Sequence, residues 1–271
     1  MDIVLKNASF TYPNGFLANE DINLVIREKE RVGIIGQNGA GKTTAVKMMN
    51  GLHKPTKGDV WVGEQNTKEY TTAQIAKHVG YVFQNPDDQI FNQTVRSEIS
   101  YMPKYYKMSQ KDIDEKVNKW AEILEITDYL ECNPYEIPYV TRKFVTIAAV
   151  LVTNPSFIIL DEPTAGQDLR GVKVLEKLMD ILQQEGIGVI TITHDMEFVA
   201  QNFKRIVVMA NKHVIADGTP KEIFSRDEII TESKITRTQI GEIEKELGMK
   251  KDYLYVEDLV GYFIEREGKK L

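Results

Sequence analysis

The run Arg31-Val32-Gly33-Ile34-Ile35 is apolar and β-forming, and it passes without a linker into Gly36-Gln37-Asn38-Gly39-Ala40-Gly41-Lys42-Thr43-Thr44. A helix-forming stretch follows to Asn50, with Gly51 placed as its stop. A strand that delivers a glycine-rich loop to the start of a helix gathers backbone N–H groups around an anion. Glycine permits positive φ and lets those donors approach phosphate oxygens closely. The helix start adds the positive end of its dipole, worth up to ~2 kcal/mol per charge in favourable geometry. In the spacing Gly36-x-x-x-x-Gly41-Lys42-Thr43, Lys42 supplies a cation for the β- and γ-phosphates of a nucleotide, and the Thr43 hydroxyl is a ligand for Mg²⁺.

The rest of the chain alternates short β-rich and helical stretches, the pattern of an α/β fold. Asp2 to Ser9 and Asp21 to Ile26 read as strands separated by the turn Tyr12-Pro13-Asn14-Gly15, and Gly58 to Val62 and Val79 to Phe83 read as further strands. From about Thr94 to Asn154 strand signals vanish. Ser109 with Asp112 resembles a capping box, opening a helix with Ile113, Val117, Trp120, Ile123 and Leu124 on one face. Asn133-Pro134 marks a turn, and a second helix is expected over Arg142 to Thr153.

Strands then resume at Phe157 to Leu160 and Gly188 to Thr193, with a helix over Val172 to Gln184 between them. Ile206 to Met209 and His213 to Ala216 read as a closing hairpin, and Pro220 sits at a helix N1 position. From Asp227 the chain is charged and ends in Val256, Leu259, Val260, Phe263 and Ile264 at helical spacing. That stripe has two readings: a helix packed on its own domain, or a contact between subunits.

Among the 271 residues, 42% are hydrophobic and 27% charged, which suits a packed soluble core and excludes disordered or collagen-like classes. The longest apolar run, Ile147 to Val152, is far shorter than the roughly 18 residues of a membrane-spanning helix. The start Met1-Asp2-Ile3-Val4-Leu5-Lys6 does not read as a secretory signal, and the single cysteine, Cys132, suits a reducing cytosol. A net charge of −6 argues against a basic nucleic-acid footprint, so no nucleic-acid partner is expected.

Two further strand ends carry chemistry. Phe157-Ile158-Ile159-Leu160 delivers the adjacent carboxylates Asp161 and Glu162 to a C-terminal strand end, where α/β ligand crevices lie. Asp161 would hold Mg²⁺ through water, and Glu162 would polarise the attacking water. The strand Gly188 to Thr193 places His194 at the same sheet edge, within reach of the γ-phosphate and that water. His53, His78 and His213 read as structural or exposed.

With these motifs in order, the chain from about Asp2 to Arg226 resembles an ABC-transporter ATPase subunit. The phosphate loop, Asp161-Glu162, the following Pro163-Thr164-Ala165-Gly166-Gln167-Asp168 and His194 occur in that family's sequence. The resemblance implies a RecA-like α/β core, an antiparallel β subdomain, a helical subdomain at about 94–154 and a C-terminal extension at 227–271. It also implies that Gln84 is the glutamine that touches Mg²⁺, Asp168 the aspartate of the D-loop, and Tyr12 the aromatic that stacks on adenine. Tyr12-Pro13-Asn14-Gly15 and Phe83-Gln84-Asn85-Pro86-Asp87-Asp88-Gln89-Ile90-Phe91 resemble the ATPases of energy-coupling-factor transporters and their cobalt and nickel relatives. That subfamily imports vitamins or transition-metal ions with a membrane coupling subunit and a substrate-binding membrane subunit. Its ATPases sit on the cytoplasmic side of the cell membrane and use a C-terminal extension to dimerise.

The chain departs from the family at the signature, usually LSGGQ and in this subfamily often LSYGQ, where Ile137-Pro138-Tyr139-Val140-Thr141 stands before Arg142-Lys143. Pro138 replaces the serine, Val140 the second glycine and Thr141 the glutamine. In this family each ATP lies between the phosphate loop of one subunit and the signature of the other. The expectation is therefore a heterodimer, in which a second ABC ATPase subunit brings a normal signature to this chain's intact site. A homodimer, a soluble ABC ATPase with no transport role, and a regulatory subunit that binds nucleotide with little hydrolysis are the alternatives.

Overall fold

The computed structural model describes residues 1–249 and 255–268. In chain order, β1 (Ile3–Thr11), β2 (Leu17–Ile26) and β3 (Arg31–Ile35) lead into α1 (Lys42–Met49). Next come β4 (Lys57–Val62), β5 (Gln65–Asn66), α2 (Thr72–Ile75) and β6 (Val79–Val82). The helical block holds α3 (Val95–Tyr105), α4 (Gln110–Ile123) and α5 (Tyr139–Leu151). It is followed by β7 (Phe157–Asp161), α6 (Leu169–Glu185), β8 (Gly188–Ile192) and α7 (Met196–Asn202). The hairpin β9 (Arg205–Ala210) and β10 (His213–Gly218) precedes α8 (Pro220–Phe224), α9 (Asp227–Ser233), α10 (Gln239–Glu246) and α11 (Val256–Gly268).

Two sheets form. The smaller is antiparallel, in the order β2-β1-β4-β5, and the larger runs β10-β9-β3-β8-β7-β6. All neighbours in the larger sheet are parallel except β10 with β9. The parallel strands read as unbroken apolar runs because both of their faces are covered. Successive residues of a strand point to opposite faces. Phe157 and Ile159 of β7 accordingly join the core shared with α1 and the antiparallel sheet, while Ile158 and Leu160 join the core of the helical block. At the far side, Ile206 and Val208 of β9 pack with Ile223, Phe224, Ile229, Ile230 and Ile235, which draws α8 and α9 onto the sheet.

Most expected elements are present, with shifted ends. β2 begins at Leu17 rather than Asp21, and α5 begins at Tyr139 rather than Arg142. The α5 start follows from Pro138 at the N-cap, whose carbonyl takes the Thr141 N–H at 2.9 Å. Residues 139–141 thus form the helix's first turn. Ser109 caps α4 by accepting the Asp112 N–H at 3.2 Å, but the Asp112 carboxylate takes the Ser109 hydroxyl instead of closing the reciprocal backbone bond. Of the C-terminal stripe, Val256, Val260, Phe263 and Ile264 are exposed, while Leu259 is partly buried. No helix among the described residues is long and apolar enough to cross a membrane.

Candidate active site

The parallel strands β3, β6, β7 and β8 all point the same way, so the segments after them meet at one sheet edge. Gly36 follows β3, Gln84 follows β6, Asp161 ends β7 and His194 follows β8. Gly36 has φ +143°, and a Cβ there would lie 2.0 Å from the Met209 carbonyl oxygen of β9. Gly41, at φ +96°, would place a Cβ 2.5 Å from the Ala18 carbonyl oxygen. Backbone packing as well as conformation therefore requires glycine at both positions. The loop is tied from two sides. Asn19 Nδ2 donates to the Gly41 carbonyl at 3.1 Å, and the Gln37 N–H donates to the Ser233 carbonyl of α9 at 3.0 Å.

Between these elements lies a cavity of about 690 Å³, within the usual range for a small-molecule site. From the loop, Asn38, Gly39, Gly41, Lys42, Thr43 and Thr44 line it. Gln84, Asp161, Glu162 and His194 line it from the sheet edge, and Tyr12 from the antiparallel sheet. Gly36, Gln37 and Ala40 are not on its wall: the Gly36 and Gln37 carbonyls take hydrogen bonds from Lys42 Nζ at 2.7 and 3.0 Å, and Ala40 is buried. Tyr12 donates or accepts a bond with Thr44 Oγ1 at 3.1 Å and stands edge-on to Phe10, with Phe16 beside it on the cavity wall. His53 stacks on Phe10 with ring centroids 4.5 Å apart, a structural position.

The charges are arranged around the cavity floor. Burial lowers the Lys42 pKa, opposed by Glu162 and Asp161. Glu162 takes φ +49°, with its N–H on the Ile192 carbonyl of β8 at 2.8 Å, an uncommon backbone position for a non-glycine residue. Its Oε2 accepts the His194 N–H at 3.2 Å, and His194 Nε2 lies 3.3 Å from Oε1. Burial raises the Glu162 pKa, while the His194 backbone bond and Lys42 pull the other way. The His194 pKa is lowered, first by burial and then by Lys42.

An ABC transporter model matches residues 19–165, which span this loop and both carboxylates. The chain belongs to the ABC transporter family. It is an ATPase of the class whose hydrolysis is coupled to transport. A putative ABC transporter ATP-binding protein of Pyrococcus furiosus is 37% identical over 91% of this chain and 88% of its own length. The energy-coupling factor transporter ATP-binding protein EcfA of Methanothermobacter thermautotrophicus is 34% identical, over 91% of this chain and 80% of its own. Among solved structures, CbiO1 of Clostridium perfringens, part of the ABC transporter complex CbiONQ, superposes with a TM-score of 0.77 at 31% identity. That match covers 90% of this chain and 98% of CbiO1.

In this ABC ATPase the segment 137–141 and Asp168 do not line the main cavity. Asp168 caps α6, its Oδ1 accepting the Gly171 N–H at 2.8 Å. It lines a separate cavity of about 220 Å³ together with Pro138, Val140 and Thr141. The signature segment is also held within its own chain. Gln167 Nε2 donates to the Val140 carbonyl at 3.0 Å, Tyr139 Oη to Asn85 Oδ1 at 3.1 Å, and the Arg142 guanidinium to Asp87 at 3.0 Å.

Two residues of the site were not anticipated. Tyr81 Oη donates to Asp161 Oδ2 at 2.6 Å, and burial followed by the Asp161 charge raises its pKa. A signal existed: a phenol inside a fully buried strand needs a polar partner. Tyr81 pairs with Ile159, so Asp161 stands two residues on, on the same face. The other is Lys143, whose amine is drawn down to about 8 by burial, with Asp161 and Glu162 opposing. Its signal was a lysine within the apolar helix Tyr139–Leu151.

Proposed function

We propose that this chain is the ATP-binding and ATP-hydrolysing subunit of an energy-coupling-factor-type importer for a vitamin or a transition-metal ion. Membrane partners, a coupling subunit and a substrate-binding subunit, hold it peripherally on the cytoplasmic side of the cell membrane. The observation that carries the hydrolytic reading is Glu162: a carboxylate of raised pKa, pinned by the His194 N–H, in the same cavity as Lys42. The likeness to EcfA and to CbiO1 supports the transport class.

In this reading backbone donors of residues 36–44 cradle the phosphates, Lys42 neutralises the β- and γ-phosphate oxygens, and Tyr12 with Phe16 faces the base. The donors grouped on the cavity wall suit Mg²⁺: the Thr43 hydroxyl, the Gln84 amide oxygen and the Asp161 carboxylate are all hard oxygens. Bound there with the nucleotide, Mg²⁺ would neutralise charge that develops on the phosphates. Glu162 accepts a proton from the attacking water, its raised pKa making it a better base near neutral pH. His194, beside it, orients the water and the γ-phosphate. Asp168 acts from the D-loop, away from this chain's own cavity.

The working assembly is a heterodimer. Pro138 lacks both the hydroxyl and the N–H of the family's serine, and Val140 adds a β-branched side chain where glycine allows close approach. A normal signature from a second ABC ATPase would complete the site built on Lys42, Asp161 and Glu162. The ATPase domain spans 1–226, with its helical subdomain at about 94–154; of the extension 227–271, α9 packs back on β9, and the part around α11 is the candidate dimerisation element. The exposed face of Val256, Val260, Phe263 and Ile264 favours that role. Purification of the native chain from membranes tests the reading. A second ATPase with an intact signature and a multi-spanning subunit should accompany it, and a purely soluble partner set would contradict it.

A further inference from the structure

Lys143 stands in the second turn of α5, two residues beyond the altered signature, and is 3% exposed. Its Nζ donates to the carbonyl of Phe83 at 2.9 Å, to the carbonyl of Gln84 and to the carbonyl of Asp161 at 3.4 Å. An ammonium has three protons, and three acceptors surround this one. The acceptors come from the exit of β6 and the end of β7, the two chain segments that carry Gln84 and Asp161. None of these acceptors is a carboxylate. A buried ammonium whose hydrogen bonds go only to neutral carbonyls is costly to keep, a cost the nearby Asp161 and Glu162 charges offset only in part, and an apolar side chain would serve packing alone better.

We propose that Lys143 is a positioning residue that fixes the spacing between the Gln84 and Asp161 backbones, and so the pair of oxygens that receives the divalent cation. The proposal rests on the reading of Gln84 and Asp161 as cation ligands. Because Lys143 is carried by α5, a shift of the helical block against the sheet would pull on that pair. The helix would then report its position to the cation site through one side chain. Lys143 does not line the cavity at the phosphate loop, so its loss should spare nucleotide binding there.

The test uses the full-length chain with a non-hydrolysable ATP analogue and Mn²⁺ read by electron paramagnetic resonance. Lys143→Met keeps the length and removes every donor. Its analogue affinity in EDTA should stay within about twofold, while Mn²⁺ binding to the nucleotide complex weakens about tenfold, equivalent to about 1.4 kcal/mol. Amide exchange at Gln84 and Asn85 should accelerate in the same variant, because their anchor is gone. Lys143→Gln, which retains two donors at slightly shorter reach, should recover part of both losses. Asp161→Asn is the reference. If Asp161→Asn loses Mn²⁺ and Lys143→Met binds it as the parent does, the Lys143 proposal is overturned and the ligand reading stands. If both bind Mn²⁺ as the parent does, the ligand reading itself falls. Should Lys143→Met fail to fold, Lys143→Leu takes its place as the donor-free variant: weaker Mn²⁺ binding at unchanged analogue affinity supports the proposal, and unchanged Mn²⁺ binding overturns it.

Discussion

The Tyr81 hydroxyl donates to Asp161 Oδ2 at 2.6 Å across the β6–β7 pair, and both residues are buried. Tyr81→Phe keeps the ring and leaves a buried carboxylate oxygen without this donor. A hydrogen bond to a charged group contributes about 1.5–3 kcal/mol, and the variant should lose stability on that scale. Urea unfolding at neutral pH measures it. A loss below about 0.5 kcal/mol, the ordinary range for a surface change, would mean that the bond contributes little to the fold.

Lys42 and Glu162 line one cavity but should separate in function. Lys42→Ala removes the side-chain cation aimed at the phosphates and should abolish ATP binding in equilibrium titrations. Glu162→Gln should retain ATP while turnover in the assembled complex falls roughly 10²-fold or more, as when a positioned base is lost. Normal turnover by Glu162→Gln would remove this residue from the chemistry.

The signature segment predicts a gain of function. Each hydrogen bond lost to a charged phosphate costs about 1.5–3 kcal/mol; Pro138 has neither hydroxyl nor N–H to offer, and the Val140 side chain hinders close approach. The chain purified alone should hydrolyse ATP poorly. The triple change Pro138→Ser, Val140→Gly, Thr141→Gln should raise its turnover. Brisk hydrolysis by the unmodified homodimer would end the heterodimer argument.

His53 gives a pH dependence of stability. Burial against Phe10, aided by Lys47, lowers its folded pKa below the ordinary value of 6.5. Between the folded value and 6.5 the unfolded chain binds more protons, so stability rises with pH there and is lost on acidification through that window. His53→Gln removes this contribution. The fall in urea midpoint from pH 7 to pH 5 should be smaller in the variant than in the parent, and equal falls would exclude His53 as a source.

What the sequence made legible is what lies close together along it. Gly36 to Thr44, Asp161-Glu162 and His194 each follow a short apolar run, and parallel strands bring their ends to one edge without further information. Tyr81–Asp161 and Lys143–Phe83 join residues far apart in sequence, and no local pattern announces such pairs. Tyr139 and Val140 are indifferent helix formers and read as loop. Pro138 at the N-cap, with Asn85 and Gln167 bonding the first turn, makes them helical instead. The face of Val256, Val260, Phe263 and Ile264 shows the converse: helical periodicity was plain, but periodicity does not say what covers a face.

The hydrogen bond from the Gln37 N–H to the Ser233 carbonyl also sets a schedule. The glycine loop leaves the ribosome roughly 200 residues before its acceptor exists, which at 5–20 residues per second is about 10–40 s. Its strand β3 waits nearly as long, because both neighbours, β8 and β9, are made late. A nascent chain arrested before residue 233 therefore carries every residue of the phosphate loop but lacks one backbone anchor of that loop.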